Sequence, residues 1–598
     1  MLSIISSRRP IRNFIVYDLE WIPGTLELRL IGVYDENKGY RTYRTIEDFL
    51  NYELTSDNRG KWFYAHAGGL ADIQFVFESF CRYRNYKVNA YFSGSSAIIV
   101  NVTQGKNAWH FVDSYWLLRD KLKNIGEWIG LKKGGVDDKD DPDEIGISDK
   151  EYDRRIEIKK EWFRSVSLEI LYDYNETDCI ILYKAIDAFQ QAIRELGGQL
   201  QMTLASSAMN LFRRRYLKGN IDTSEGINQM ARKSYFASRV EVITRDVNDS
   251  LYYDINSSFP FSMTTSCPGA FIKCSNKLPD KKEILHISEV EIEVPSRFIS
   301  PTPFRFNKRI FFPSGKWRQW LTNVDIDLLQ KEGGKILKVF ESYWFESFND
   351  LANYSIDLYQ KKAKSNSQFE RTVYKLLLNS LYGKFAENPI KKSVSIDPDD
   401  TSNKIMLMPG VWLEEKKIPI PHVHVPISSH ITAMSRQLLY EHMINCKDVH
   451  YCDTDGFSTT ENLSTGNNIG DLKLEKKISK GYFILPKLYR IEGEVEDKDG
   501  LWKKLDYIKA KGFSRMSAER FLKLLEGQTI SYERMSRLRE NLRNGIIKPK
   551  EEEYIKRIKL MDINSINFNP KKHIIPKRFT YPDGYTRPWD IDELMKLL

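Results

Sequence analysis

The pattern of apolar and polar positions divides the chain into three stretches. The first opens with short runs rich in β-branched and aromatic residues: "RNFIVYDLEW", "LELRLIGVYD", "KWFYAHAGG" and "NAWHFVDSYW". Each has the length and composition of a strand. They are followed by "EILYDYNETDCIILYKAIDAFQQAIREL", whose apolar residues recur at helical spacing. Residues 1–200 are therefore read as one α/β domain, with the acidic run "KKGGVDDKDDPDEIG" as a solvated loop inside it. The second stretch, 201–530, carries strands such as "DSLYYDINSSF" and "ISEVEIEV", the helix "FERTVYKLLLNSLYGKFA", and a return to strand at Asp453. The third, 531–598, is rich in Lys and Arg and is read as a basic terminal region.

Composition narrows the class. At 598 residues the chain is too long for one core. Hydrophobic residues at 41% and charged residues at 29% are ordinary for a soluble globular protein. A net charge of +9 permits a polyanionic partner without demanding one. The six cysteines form no CxxC pair, so neither a zinc site nor a disulfide framework is implied, and a reducing compartment follows. No leader pattern and no apolar run of bilayer length occurs, which predicts a soluble, cytosolic protein without membrane attachment.

The chemistry starts with "DVHYCDTDGFS". Asp453 and Asp455 sit one residue apart among strand-formers, and strand alternation points both the same way. Two carboxylates that close repel each other, and burying one unpaired costs several kcal/mol. Either the pair lies on an open surface or something cationic sits between the groups. Asp254 in "LYYDINSSFPFSM" is uninformative alone; with the pair, three carboxylates on adjacent strands could hold two divalent cations, and a nucleotide triphosphate would complete the cage. Between these motifs Arg371, Lys375, Asn379 and Tyr382 are spaced four, four and three residues apart, on one helical face. Arg371 and Lys375 suit a polyphosphate, and Tyr382 beside Gly383 offers a flat surface for a base pair. For Arg371 or Lys375 alone, a solvated basic helix face is the simpler reading; the combination favours a site.

Together "DINSSFP", "KLLLNSLYG" and "YCDTDG" resemble, in order, the palm and fingers motifs of family B DNA polymerases: Asp-x-x-Ser-Leu-Tyr-Pro, Lys-x3-Asn-Ser-x-Tyr-Gly and Tyr-x-Asp-Thr-Asp-Ser. The resemblance implies that Asp254 and Asp455 are the main metal ligands with Asp453 in support. It implies two Mg2+ ions per active site, with Mn2+ able to substitute, and attack of a primer 3′ hydroxyl on a dNTP. Phe259 stands where the family has the Tyr that packs under the sugar, and Gly456 replaces its Ser. "LPKLYRI" resembles the Lys-x-Tyr motif, which would put Lys487 and Tyr489 at the primer end; on spacing alone an ordinary strand face fits equally well.

In the first domain, Asp18 and Glu20 of "VYDLEW", Asp72 of "YAHAGGLADIQF", and Tyr174 and Asp178 of "YNETDCIILY" resemble in that order the three motifs of a proofreading 3′–5′ exonuclease. The implied fold is ribonuclease H-like, with four carboxylates as metal ligands and Tyr174 orienting water. The family's His-Asn pair, which holds single-stranded DNA, is His66–Ala67 here. "SYFASRVEV" resembles the Tyr-x-Gly-Gly motif of protein-primed polymerases, with Tyr235 kept and Ala237 and Ser238 in place of the glycines. Segments at 302–347 and 389–422 are placed like the two insertions of that group. The resemblance thus implies an α/β multidomain fold, exonuclease followed by palm, fingers and thumb. It further implies a monomer acting in a host cytoplasm for a viral or plasmid genome, with primer-template DNA, single-stranded DNA, dNTPs and a terminal priming protein as partners. The alternatives are a family B enzyme using conventional nucleic-acid primers and a catalytically silent DNA-binding scaffold.

Overall fold

The computed structural model describes the chain except residues 8–9, 23–26, 71, 83–85, 94–95, 135–148, 307, 409, 497–499, 514–515, 537–561, 571–574, 582–583 and 598. Most of the acidic loop expected after Lys133, and much of the basic 531–598 region, therefore lie outside the described residues.

The N-terminal strand Phe14–Ile22 explains its own sequence. It pairs parallel with Trp62–Ala65 and antiparallel with Glu27–Asp35, so it lies inside a sheet. Both of its faces are covered, which is why it reads as a nearly continuous apolar run. Phe14 and Val16 pack with Leu182, Ala185, Ile186 and Phe189 of the long helix Leu168–Glu195. Ile15, Tyr17 and Leu19 face the opposite way, against Phe49, Leu50, Val76 and Phe77. Alternation then fixes the polar residues: Asp18 and Glu20, both even-numbered, point toward the long helix.

This sheet has ten strands, and three of them come from far along the chain. Ile390–Ile396 pairs antiparallel with Lys87–Ser93, and Val411–Lys417 and Lys404–Met408 add outside it. The segment around 389–422 thus extends the N-terminal sheet. The segment around 302–347 shares a four-stranded sheet with Cys267–Ser275 and Leu285–Val294.

A seven-stranded sheet forms the centre. Asp246–Ile255 runs between Gly456–Thr459 and Leu472–Leu485, and Tyr451–Asp453 and Val240–Val242 close one edge. Tyr253 and Ile255 face a core with Leu439, Tyr440 and Met443 of the helix Val425–Ile444. Tyr252 and Asp254 therefore face the other way. Among the described residues no helix is long and apolar enough to cross a membrane.

Candidate active site

At the N-terminal sheet, strand alternation and helical spacing converge. Asp18, Glu20 and Asp178 each offer a carboxylate oxygen within 4.8 Å of the others, the one such trio among the described residues. Asn175, fully buried one turn before Asp178, donates from Nδ2 to Asp18 Oδ2 at 3.1 Å and Glu20 Oε1 at 3.2 Å. Its Oδ1 accepts from the Tyr40 hydroxyl at 3.0 Å. Gly32, opposite Asp18 in the sheet, makes this possible: a Cβ there would stand 1.5 Å from Asn175 Oδ1. Lys133 forms an ion pair with Asp178 and lies 4.8 Å from the centre of the Tyr174 ring. Burial, then the Asp178 charge, raises Asp18 to about 7, and burial followed by Asp18 raises Glu20. Three hard oxygen donors that resist ionising together fit a divalent cation, which would restore them to the charged form.

Asp72 does not join the trio. It opens the helix Asp72–Arg82 on the other face of the sheet, and its Oδ1 accepts from the Leu19 amide at 3.1 Å. The helix that carries it packs with the odd-numbered residues of the strand, yet its carboxylate stays within reach of Asp18, whose charge, after burial, raises the Asp72 pKa.

The second cluster lies on the open face of the central sheet. Gly456 pairs with Asp254 and Asp453 with Val240, which brings Asp254, Asp453 and Asp455 to one cleft. The expectation that Asp453 and Asp455 alternate along a strand is corrected: Asp453 ends one strand, Gly456 begins the next, and Thr454–Asp455 is the turn. Thr454 sits at φ +69°, and the Asp455 amide donates to the Asp453 carbonyl at 2.8 Å. A β-branched residue in that region is an outlier held by its surroundings; here the Thr454 amide is anchored on the Arg239 carbonyl at 2.8 Å. Burial, then Asp455, lifts Asp254 to about 8, with Lys375 pulling the other way. Burial, then Asp453, lifts Asp455 to about 6. Lys487 Nζ holds Asp453 Oδ1 at 2.6 Å. The three carboxylates are more open than the first trio, and Lys487 already neutralises one of them. Glu475 adds a fourth carboxylate to the lining.

Residues 53–462 match the family described as DNA polymerase type B, organellar and viral. The chain belongs to this family. A probable DNA polymerase of Podospora anserina is 26% identical over 564 residues, covering 79% of this chain but 46% of its own length. The chain thus spans less than half of that relative. The DNA-directed DNA polymerase of Enterobacteria phage PRD1 is 22% identical, with 69% of each chain covered. The solved structure of phi29 DNA polymerase with primer-template DNA and incoming nucleotides shares the fold, with a TM-score of 0.70 at 17% identity, over 94% of this chain and all of that one. The α/β multidomain class expected from sequence is the class found.

Around the second cluster of this type B chain, the other predicted residues fall into two groups. Arg371, Lys375 and Asn379 are exposed on one face of the helix Gln368–Ser380; Arg371 Nε donates to the Ser365 carbonyl at 2.7 Å. Tyr382 lies beyond that helix, at the start of a 3-10 turn, where Phe259 stacks on it. Gly383 is exposed with open space beside it. Burial, then the Tyr235 phenol, pushes the Tyr382 hydroxyl up. Tyr489 is buried against Tyr451 in the floor of the cleft.

His66 is turned inward. Its ring nitrogens lie 3.0 Å from Ser114 Oγ and 2.8 Å from the Asp120 carbonyl, and burial holds it near pKa 4. Sequence reasoning missed Asn175, Lys133 and Glu475. Asn175 had a signal, since it lies inside the quoted helical motif. Lys133 and Glu475 sit in ordinary charged runs, where only the fold marks them out.

Proposed function

We propose that the chain is a template-directed DNA polymerase with 3′–5′ proofreading, replicating a linear viral or plasmid genome by protein priming and strand displacement. The observation that carries this is the cleft shared by Asp254, Asp453 and Asp455, with Lys375 acting on Asp254 and Asp455 acting on Tyr382 of the Phe259–Tyr382 stack. Asp254 and Asp455 would hold the cations there, and Asp18, Glu20 and Asp178 in the first site, with Asp72 in support. Bound magnesium, or manganese in its place, supplies Lewis-acid stabilisation of the attacking and leaving oxygens.

The chain's own residues do the positioning. Lys375 and Arg371 meet the triphosphate of the incoming dNTP, and Asn379 lies on the same face. The Phe259–Tyr382 stack forms a flat wall under sugar and base. Gly383, with no side chain, lets the nascent pair approach, and Tyr235 lies near the same wall. Lys487 and Tyr489 hold the primer end, whose 3′ oxygen bonds to the α-phosphorus as the bond to pyrophosphate breaks. In the first site Tyr174 orients the water that attacks the terminal phosphodiester, and His66 shapes the loop beside it.

Other partners follow from this reading: primer-template and single-stranded DNA, dNTPs, and a terminal protein whose hydroxyl accepts the first nucleotide. The monomeric enzyme would act in the host cytoplasm. The test is a 5′-labelled primer on a longer template in magnesium. The primer should lengthen with dNTPs and shorten without them. No lengthening under any salt or metal condition would leave the scaffold reading. Adding a terminal protein and looking for a protein–nucleotide adduct separates protein priming from conventional primers.

A further inference from the structure

At the Val240–Val242 edge of the central sheet, a small pocket opens beside the Leu485–Pro486 corner, residues 576–580 and Thr586. It shares no lining residue with the cleft of the aspartates. Among the described residues its lining contains Arg245, Lys577 and Arg578 and no carboxylate. Three cations around one small space repel each other, so something must offset them.

The protein itself offsets them only in part. Arg578 is 2% exposed; Nε donates to Thr586 Oγ1 at 2.9 Å and Nη2 to the Phe298 carbonyl at 2.7 Å. Its Nη1 has no partner among the described residues. A buried guanidinium nitrogen left without an acceptor is costly. The carboxylate acting on both Lys577 and Arg578 is Glu241, which already forms a buried ion pair with Arg239. Arg309 and Arg239 add further positive charge near Lys577, and burial lowers the pKa of Lys577 and, to about 10, that of Arg578. Arg245 is exposed at the rim and forms no ion pair among the described residues. The pocket thus offers donors and an excess of positive charge, with its neighbouring acid, Glu241, outside the lining and already paired with Arg239, which is the chemistry that recognises an oxyanion.

We propose that this pocket is a phosphate site, occupied in the working enzyme by a backbone phosphodiester of the DNA leaving the cleft. The choice of DNA as the source rests on the polymerase reading. Position supports it: Pro486 lines the pocket, and the next residue, Lys487, contacts Asp453. A phosphodiester held here fixes the strand by its backbone and carries no sequence information.

The experiment uses the full chain and two variants, Lys577→Gln and Arg245→Gln; Arg578→Gln is left aside because its buried hydrogen bonds make misfolding the simplest outcome. One arm measures affinity for a labelled primer-template hairpin across a salt series. Removing a single phosphate contact should make the log–log salt slope shallower by about 1. The other arm compares unfolding temperatures without DNA in inorganic phosphate and in chloride at matched ionic strength. A shallower slope in Lys577→Gln, with primer extension retained at low salt, supports the DNA-filled site. An unchanged slope with phosphate stabilisation of the wild type that the variants lose keeps the oxyanion pocket but assigns it to free anion. An unchanged slope and no phosphate effect, in variants that still extend primers, overturns it. Failure of the wild type to bind or extend primer-template would strike the polymerase reading instead, and the phosphate arm alone would then decide the pocket.

Discussion

The ring of Phe259 lies flat on that of Tyr382, with centroids 4.1 Å apart and planes 12° from parallel. One ring follows the strand that carries Asp254, and the other follows the helix that carries Lys375. The stack therefore joins the carboxylate side of the cleft to its basic side. Phe259→Val removes the wall without adding a polar group. It should lower the preference for dNTP over rNTP, measured as a ratio of kcat/KM values, by roughly ten- to two-hundredfold. Phe259→Tyr should leave that ratio close to the wild-type value. Equal ratios in all three proteins would show that the stack does not contact the sugar.

The two acidic clusters lie on separate sheets, so their losses should separate. Asp254→Asn is expected to reduce primer extension by on the order of 10³-fold while trimming of single strands continues. Asp18→Asn should do the reverse. Thermal stabilisation by magnesium, read in the absence of DNA, should fall in each variant. If either substitution abolished both activities while the protein stayed folded, the assignment of separate sites would fail.

Ala67 occupies φ +55°, where an L-residue with a Cβ is strained by about 1 kcal/mol. The family's Asn adopts that conformation at lower cost than Ala. Ala67→Asn should raise stability in urea by up to about 1 kcal/mol and increase single-strand trimming as well. Ala67→Gly should relieve the strain without the gain in trimming. A stabilised Asn variant that trims no better would confine the effect to the backbone.

Much of this was legible in the sequence for a physical reason. Strand alternation and helical spacing are local rules, and they correctly aim Asp18, Glu20 and Asp178 at one another. Asp453 and Asp455 were misread because the residues of a tight turn between two strands match the composition of a single strand, and only the pairing of Asp453 with Gly456 reveals the corner. Asp72 stands outside that trio but acts electrostatically on Asp18, and its place depends on a helix start that local spacing does not determine. The addition of Ile390–Ile396 to the edge strand Lys87–Ser93 joins residues some 300 positions apart, and no local pattern encodes it.

His424 and His430 are buried in the helix region beneath the sheets, and burial holds both near pKa 4. An unfolded histidine titrates near ~6.5. The unfolded chain therefore binds more protons between these values, so their contribution to stability is complete above ~6.5, falls as the pH drops toward 4, and levels off below it. Asp254 and Asp455, raised to about 8 and about 6, act in the opposite sense over part of this range, so single variants are needed. The stability gap between wild type and His430→Leu should shrink, or change sign, between pH 7 and pH 5 in urea titrations. A gap independent of pH would mean that His430 is not held neutral.

Gly456 follows the two aspartates, and a Cβ at this position would meet the Tyr252 hydroxyl at 2.5 Å and its ring carbons at 2.9 Å. The family's Ser therefore cannot be accommodated while Tyr252 keeps its place, and the Gly and the Tyr form a matched pair. Tyr252 lines the cleft and lies beside Asp254 on the open face of the sheet. Gly456→Ser should displace the Tyr252 ring and disturb the hairpin, costing about 1–3 kcal/mol of stability and reducing extension. Tyr252→Ala leaves a void, costing a few kcal/mol by itself. In the double variant the serine occupies part of that void, so the two losses should sum to more than the double variant loses. A coupling of at least about 0.5 kcal/mol in that direction is expected for residues in contact. Strictly additive losses would mean that Tyr252 turns aside freely and that the absence of a side chain at 456 has another cause.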